Sequence, residues 1–230
     1  MIPFNNLSLI HRPLLNEFVQ EFEECVLTSD FVLGTSVDNL ESLIASSELC
    51  KFCVTVNSGT SALELVLRAL ELTEGDEIIL PAMTFSATAF AVHEIGGKLK
   101  ICDVDPITGI MDLSNLTSII SSKTKAVIFV SLHGRIDGLK DIHLLCKSLG
   151  IPLIVDGAQS QGATDFNVPI ARECDAYTLS FYPGKNLGAL GEGGAVCTNN
   201  EDIAVAIRRF RNWGSNADRY HSETWGVITD

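Results

Sequence analysis

Short apolar runs alternate with amphipathic segments along most of the chain. The runs are three to five residues long, and turn residues follow them. Runs of this length predict buried strands. The seven predicted strands are Phe52–Val56, Glu77–Leu80, Leu99–Cys102, Ala126–Val130, Leu153–Val155, Ala176–Leu179 and Ala195–Cys197.

Helical periodicity fills several of the intervals between these runs. Apolar residues recur every three to four positions within 62–70, 87–95 and 139–149, which predicts helices there. Strands that are apolar throughout and alternate with helices are typical of a mostly parallel sheet covered on both faces. The pattern therefore predicts an α/β fold around a mostly parallel, seven-stranded sheet.

Polar residues follow several of the predicted strands, where ligands of open α/β sheets collect. These positions are rich in hydroxyl groups and also hold one carboxylate, one lysine and one aromatic ring. They are Asn57 to Ser61, Pro81 to Phe85, Ser131 to Gly134, Asp156 to Gln159 and Ser180 to Lys185.

Ser58, Gly59 and Thr60 lead directly into the first periodic helical segment. The N–H groups and the positive end of that helix would favour a bound phosphate. Serine and threonine are also common N-caps with no ligand at all. The motif by itself leaves both interpretations open.

Asp156 and Lys185 carry the other candidate chemistry. Asp156 closes the apolar run Leu153–Val155, where a bare carboxylate would need a cation or strong donors, such as a cationic ring nitrogen. Lys185 lies in a glycine-rich loop. A lysine that is partly shielded from water can have a lowered pKa and form Schiff bases with carbonyl compounds. A strand-ending aspartate bonded to the next turn and a solvated loop lysine are the structural alternatives.

Composition sets limits on partners and compartment. The 230 residues are 46% hydrophobic, 20% charged and carry a net charge of −13, which fits a folded protein and disfavours general binding to nucleic acid or anionic lipid. We predict no nucleic-acid or membrane partner. No apolar run is long enough to span a bilayer and the start does not resemble a signal peptide, so we expect a cytoplasmic protein.

Several other site types lack their motifs. A Walker A loop would need glycine where Leu179 stands and Ser or Thr where Asn186 stands. The chain has no G-x-G-x-x-G after a strand, no G-x-S-x-G, and no clustered histidines. Cys50 and Cys53 match C-x-x-C, but the segment fits a strand better than a zinc or redox site. We predict that all the cysteines are free, buried thiols and that the chain has no metal site.

The motifs as a set resemble the DegT/DnrJ/EryC1/StrS family of nucleotide-sugar aminotransferases, which are pyridoxal-phosphate (PLP) enzymes of fold type I. The likeness runs from about Pro3 to Gly226. The matching stretches are Asn57 to Leu63, Gly75 to Pro81, Asp103 to Asp105, Val155 to Ala163, Ser180 to Gly188 and Glu192 to Ala195. The chain departs from the family's His-Leu-Tyr-Gly pattern at Ser131 to Gly134.

The resemblance implies a role for each candidate residue. Lys185 would hold the cofactor covalently and move a proton, and Asp156 would pair with the protonated ring nitrogen. Phe85 would stack on the ring, and Gln159 would hydrogen-bond near its phenolic oxygen. Ser58, Gly59, Thr60 and Ser180 would surround the phosphate.

The resemblance also implies the reaction and the partners. Glutamate would donate an amino group to a keto-deoxysugar linked to dTDP, UDP or GDP, for surface-polysaccharide (such as O-antigen) or glycoside biosynthesis, in a homodimer. We expect a three-layer large domain at 31–212 after an N-terminal helical segment at 1–30. Residues 213–230 would begin the connection to a smaller C-terminal domain, which is absent here either because the product is truncated or because the sequence is partial. If the chain ends at Asp230, we expect weak cofactor binding and little or no transamination.

Two alternatives stay open at this point. Another fold type I enzyme, such as a lyase or a desulfurase, would use the same aspartate and lysine. A catalytically silent protein with a binding or regulatory role would keep the fold without the reaction.

Overall fold

The computed structural model describes residues 5–215. Within them the chain forms nine strands. They are β1 (Phe52–Val56), β2 (Glu77–Pro81), β3 (Lys98–Cys102), β4 (Thr124–Val130), β5 (Leu153–Asp156), β6 (Thr164–Asp165), β7 (Val168–Pro169), β8 (Ala176–Ser180) and β9 (Gly194–Thr198). All seven predicted strands are confirmed, and the short hairpin β6–β7 is the addition.

Eight α-helices accompany the strands in the described residues. They are α1 (Ser8–His11), α2 (Leu15–Thr28), α3 (Thr35–Ser47), α4 (Gly59–Ala69), α5 (Ser86–Glu94), α6 (Leu113–Ile119), α7 (Leu139–Leu149) and α8 (Glu201–Arg211). Three short 3₁₀ turns occupy Arg12–Leu14, Leu132–Gly134 and Ile170–Arg172. The three predicted helices correspond to α4, α5 and α7.

The sheet is mostly parallel, as predicted. Its strand order is β1-β9-β8-β5-β4-β2-β3. Only β9 opposes its neighbours, and the other six strands run in one direction. Six carboxyl ends therefore meet at one edge of the sheet.

Alternate side chains of each strand face two separate apolar layers. Cys53, Val127 and Val155 belong to one core with α3, α6 and α7. The intervening strand residues join the opposite core, where they meet α4, α5 and α8. The fold is therefore a three-layer α/β/α arrangement, which buries the sheet on both faces and explains why its strands read as continuous apolar runs.

A carboxylate and a guanidinium cover the outer edge of β1. Glu41 Oε1 accepts hydrogen bonds from the Thr55 backbone N–H at 2.8 Å and from Arg211 Nη1 at 2.6 Å. The same Arg211 nitrogen donates to the Thr55 carbonyl oxygen at 2.9 Å. Glu41 is 8% exposed, so one ion pair joins α3, β1 and α8 at a largely dry position.

We expect Glu41→Ala to lower the free energy of unfolding by about 3 kcal/mol, because it leaves the Arg211 guanidinium without its carboxylate partner and the Thr55 N–H without an acceptor in a largely buried place. Urea denaturation followed by circular dichroism measures the change. Glu64→Ala is the matched control, since Glu64 pairs with Arg68 one helical turn away on α4, and such pairs contribute less than about 1 kcal/mol. Equal losses in the two variants would contradict this interpretation of Glu41.

Candidate active site

A cavity of about 500 Å³ opens at the edge where the carboxyl ends of the parallel strands meet. All eight residues singled out in the sequence line this one space. They are Ser58, Gly59, Thr60, Phe85, Asp156, Gln159, Ser180 and Lys185. The residues come from the ends of β5 and β8 and from loops and helix starts after β1, β2, β5 and β8.

Asp156 is the buried acid of this cavity. It ends β5 and is 7% exposed. Its Oδ2 accepts a hydrogen bond from Thr88 Oγ1 at 2.7 Å, and its Oδ1 accepts one from the Ala158 N–H at 3.2 Å. Burial raises the pKa of Asp156, while the two hydrogen bonds and the positive charge of Lys185 oppose that rise. The carboxylate is thus positioned to receive a cation.

The start of α4 lines another side of the cavity. Ser58 Oγ accepts the Ser61 N–H at 3.1 Å, so Ser58 is an N-cap. The N–H groups of Gly59 and Thr60 make no hydrogen bond to other residues in 5–215. They are the groups that a helix start leaves without acceptors, and they lie on the cavity. The structure therefore contains the N-cap and, next to it, two donors available to an anion.

Close backbone contacts bring α4 against β8 and β9. A Cβ atom on Gly59 would lie 2.8 Å from Ser180 Cβ. A Cβ atom on Gly194 would lie 2.4 Å from the Ser58 carbonyl oxygen. Only glycine permits these approaches, and they set the helix start beside Ser180.

Lys185 lies across the cavity in the loop that follows β8. The residue is half-buried, and its backbone N–H donates to the Tyr182 carbonyl oxygen at 2.8 Å. The positive charge of Lys185 lowers the pKa of Asp156. The amine and the carboxylate therefore belong to the same site.

Phe85 and Gln159 complete the predicted set. Phe85 is 68% exposed at the start of α5, so its ring is free to contact a ligand. Gln159 Oε1 accepts the His133 N–H at 2.7 Å, and its Nε2 group makes no hydrogen bond to a described residue. His133, at the departure from the family pattern, has a positive φ of 58°. Its backbone orients Gln159.

The metal and thiol predictions can also be compared with the structure. No group of three or more potential ligands for a metal ion occurs within residues 5–215. All seven cysteines are free, and Cys50 and Cys53 lie at and just inside the start of β1. Cys25, Cys50 and Cys174 are only partly buried, so the prediction that all the thiols are buried is wrong for these three.

Sequence reasoning missed Thr88 and gave no role to three other residues that line or support the cavity, Ser131, Tyr182 and Glu192. Thr88 is fully buried, holds Asp156 and contacts Thr84 Oγ1 at 2.6 Å. Ser131 Oγ donates to the Asp156 carbonyl oxygen at 2.9 Å, and Tyr182 and Glu192 line the space. A hydroxyl on the buried side of the apolar helix α5 was the signal that could have revealed Thr88.

Comparison with known proteins identifies the family. The model of the DegT/DnrJ/EryC1/StrS aminotransferase family matches residues 14–229. The chain belongs to this family. Among curated family members, it is 36% identical over 230 residues to the UDP-2-acetamido-2-deoxy-3-oxo-D-glucuronate aminotransferase of Pseudomonas aeruginosa, covering 99% of this chain and 63% of that protein.

Solved structures of the family share the fold. DesV from S. venezuelae, in complex with a ketimine intermediate, has a TM-score of 0.94 and 31% identity, with 98% of this chain and 61% of that chain covered. NtdA from Bacillus subtilis, with bound cofactor PMP, has a TM-score of 0.92 and 29% identity, with 98% and 52% covered. The chain thus spans less than two thirds of these family members. Among residues 5–215, no helix is long and apolar enough to cross a bilayer.

Proposed function

We propose that the protein is a PLP-dependent aminotransferase that moves an amino group from glutamate to a keto-deoxysugar nucleotide. One observation carries the proposal: the amine of Lys185 and the buried carboxylate of Asp156 share a single cavity with two free helix-start N–H groups. These are the three groups needed to hold an aldehyde, a cationic ring and a phosphate. The amino-transfer names of the family relatives support the choice of reaction.

The residues present fit this cofactor. A cavity of about 500 Å³ falls within the usual range of roughly 300–1,000 Å³ for small-molecule sites. Asp156 is a buried carboxylate whose pKa is raised by burial, and a protonated pyridine nitrogen beside it would stabilise its ionised form. The NtdA structure with PMP, the amine form of PLP, supports the same assignment.

Each residue then has one task. When bound, the cofactor would supply an electron sink for cleavage of the bond to hydrogen at the amino carbon. We assign Lys185 to covalent attachment and to proton transfer through Nζ, and Asp156 to charge pairing at the ring nitrogen. Phe85 would cover the ring face, and the Nε2 of Gln159 would donate to the ring oxygen. Ser58, Gly59, Thr60 and Ser180 would hold the phosphate, with Ser58 acting through the helix start that it caps.

We also propose the setting of this activity. Residues 31–212 would be the cofactor-binding domain, and the connection expected at 213–230 lies mostly outside the described residues. Val19 and Phe22 on α2 are 56% and 72% exposed, so they do not pack inside the chain and support a homodimer. The names of UDP- and dTDP-sugar relatives support a nucleotide-linked sugar as the substrate. We place the activity in the cytoplasm, in surface-polysaccharide, such as O-antigen, or glycoside biosynthesis.

Absorption spectroscopy tests the proposed function. Adding PLP to the purified chain should produce a visible band shifted from that of free PLP, and borohydride should trap the label on Lys185, located by peptide mass spectrometry. In a separate sample that has not been reduced, glutamate should bleach the band, because the amino group passes to the cofactor. Bovine serum albumin treated alike controls for labelling of surface lysines.

Two results would contradict the proposal in different ways. A band that forms on Lys185 but does not respond to glutamate would favour the catalytically silent alternative. Labelling spread over exposed lysines with no preference for Lys185 would reject the cofactor site itself.

A further inference from the structure

We propose that Gln161 is a positioning residue that holds the Lys185 loop against the loop that carries Asp156, an inference that rests on the proposed function. Its side-chain amide bonds to two points of the lysine loop at once. Nε2 donates to the Ser180 carbonyl oxygen at 2.8 Å. Oε1 accepts the Leu187 N–H at 3.0 Å. One side chain therefore spans the segment in which Lys185 lies.

The lysine loop has little other support. Phe181 and Ala189 bond to each other through their backbones at 2.8 Å, which closes the base of the loop. The Lys185 N–H bonds within the loop, to Tyr182. Among described residues, the contact from Leu187 to Gln161 is the one hydrogen bond that ties positions 182–188 to a segment outside 180–189. Without it, the lysine would depend on a loop anchored only at its ends.

Gln161 itself is mounted on a fixed element. It follows Asp156 and Gln159 in the turn after β5, and the next residue, Gly162, donates its N–H to the buried Glu48 at 3.3 Å. Ala163 N–H bonds back to the Ser160 carbonyl oxygen at 2.9 Å. We call the two hydrogen bonds of the Gln161 side chain the clamp. The clamp links the loop of Lys185 to the turn that follows Asp156, and it sets the relative position of these two residues.

Gln161 acts from outside the cofactor cavity. It lines a neighbouring open cavity and not the space that holds Asp156. Bonding to the Ser180 carbonyl oxygen and the Leu187 N–H at once requires a donor and an acceptor on one short planar group, which glutamine provides. Glutamate keeps the acceptor and loses the donor, and methionine loses both at similar length. Displacement of a reacting group by about 1 Å can cost up to roughly 10²-fold in rate.

Proteolysis of the cofactor-free protein tests the clamp. Trypsin cleaves after Lys185 once the loop can open, so we expect Gln161→Met to speed cleavage at that bond by about tenfold and Gln161→Glu to speed it less. Gln20→Met makes the same change on the exposed surface of α2 and should leave the rate unchanged. Thermal melting of each variant shows whether the rest of the domain stays folded.

Glutamate-driven bleaching of the PLP band tests the positioning role. In Gln161→Met the rate at saturating glutamate should fall about ten- to a hundredfold, with the half-saturating glutamate concentration changed by less than about twofold. Unchanged tryptic cleavage would overturn the clamp. Faster cleavage with an unchanged bleaching rate would overturn positioning. If the wild-type chain forms no band, the proposed function fails while the cleavage rates still decide on the clamp.

Discussion

Lys185→Ala is expected to remove covalent cofactor attachment and to lower the rate of amino transfer by on the order of 10⁶-fold, a loss seen when an enzyme loses its nucleophile. No other lysine lines the cavity within the described residues, so no second amine can take over the linkage or the proton transfer. The measurements are the visible PLP band, borohydride trapping and the rate of glutamate-driven bleaching.

Lys185→Arg tests whether position 185 needs a nucleophilic amine or only a positive charge. Arginine keeps a positive charge near Asp156 but stays protonated and cannot act as an amine nucleophile. It should fold normally, bind PLP without the shifted band and remain inactive. Retention of more than about one hundredth of the wild-type rate in either variant would show that Lys185 is not the attachment site.

Asp156→Asn is expected to lower the rate of amino transfer by about 10²- to 10³-fold, the loss typical when one preorganised electrostatic partner is removed. The amide matches the carboxylate in size but cannot stabilise a protonated ring nitrogen. The amide oxygen can still accept from the Ala158 N–H, and the amide NH2 can donate to the Thr88 hydroxyl, so the fold should persist. Stopped-flow bleaching of the PLP band by glutamate measures the change.

The pH dependence of cofactor binding gives an independent check. Burial raises the pKa of Asp156 above the ordinary aspartate value, and only the ionised form pairs with a ring cation. Affinity for PLP should therefore fall on acidification, starting at a higher pH than for an exposed aspartate. The Asp156→Asn variant should lose this step, and an identical pH profile in both proteins would contradict the assigned pairing.

Local pattern predicted the framework well because the central strands are buried on both faces and read as apolar runs. The edge strand β3 is the exception, since its Leu99 and Ile101 are 45% and 52% exposed. It predicted the helices less completely. α3 and α6 are rich in serine and asparagine, which also favour turns and caps. In α8, apolar residues at Ile203 and Ile207 have helical spacing, but the segment is short and rich in charged residues. Strand order and the reversed direction of β9 depend on contacts distant in sequence, and no local pattern reports them.

In the candidate site, too, some residues could be predicted from the local sequence and others depend on contacts distant in sequence. Residues at strand ends, such as Asp156 and Ser180, could be singled out because parallel strands bring their carboxyl ends together. Gln161 could not, since its importance lies in the oxygen and the N–H that it reaches 19 and 26 positions away. For Thr88, the sequence offers a hydroxyl on an apolar helix but not its partner 68 positions away. Ser58 was ambiguous in sequence, and the structure shows it as a cap beside free donors.

The pairing of Glu41 and Arg211 with Thr55 has a consequence for how copies of this protein meet. The N–H and carbonyl that an incoming strand would use at this point of β1 are already bonded to side chains. At the far edge, β3 carries Lys98 and Lys100, and charges of this kind discourage intermolecular strand addition. Strand addition is therefore disfavoured at this point of β1 and along β3, which lowers the tendency of the sheet to grow into a cross-β aggregate.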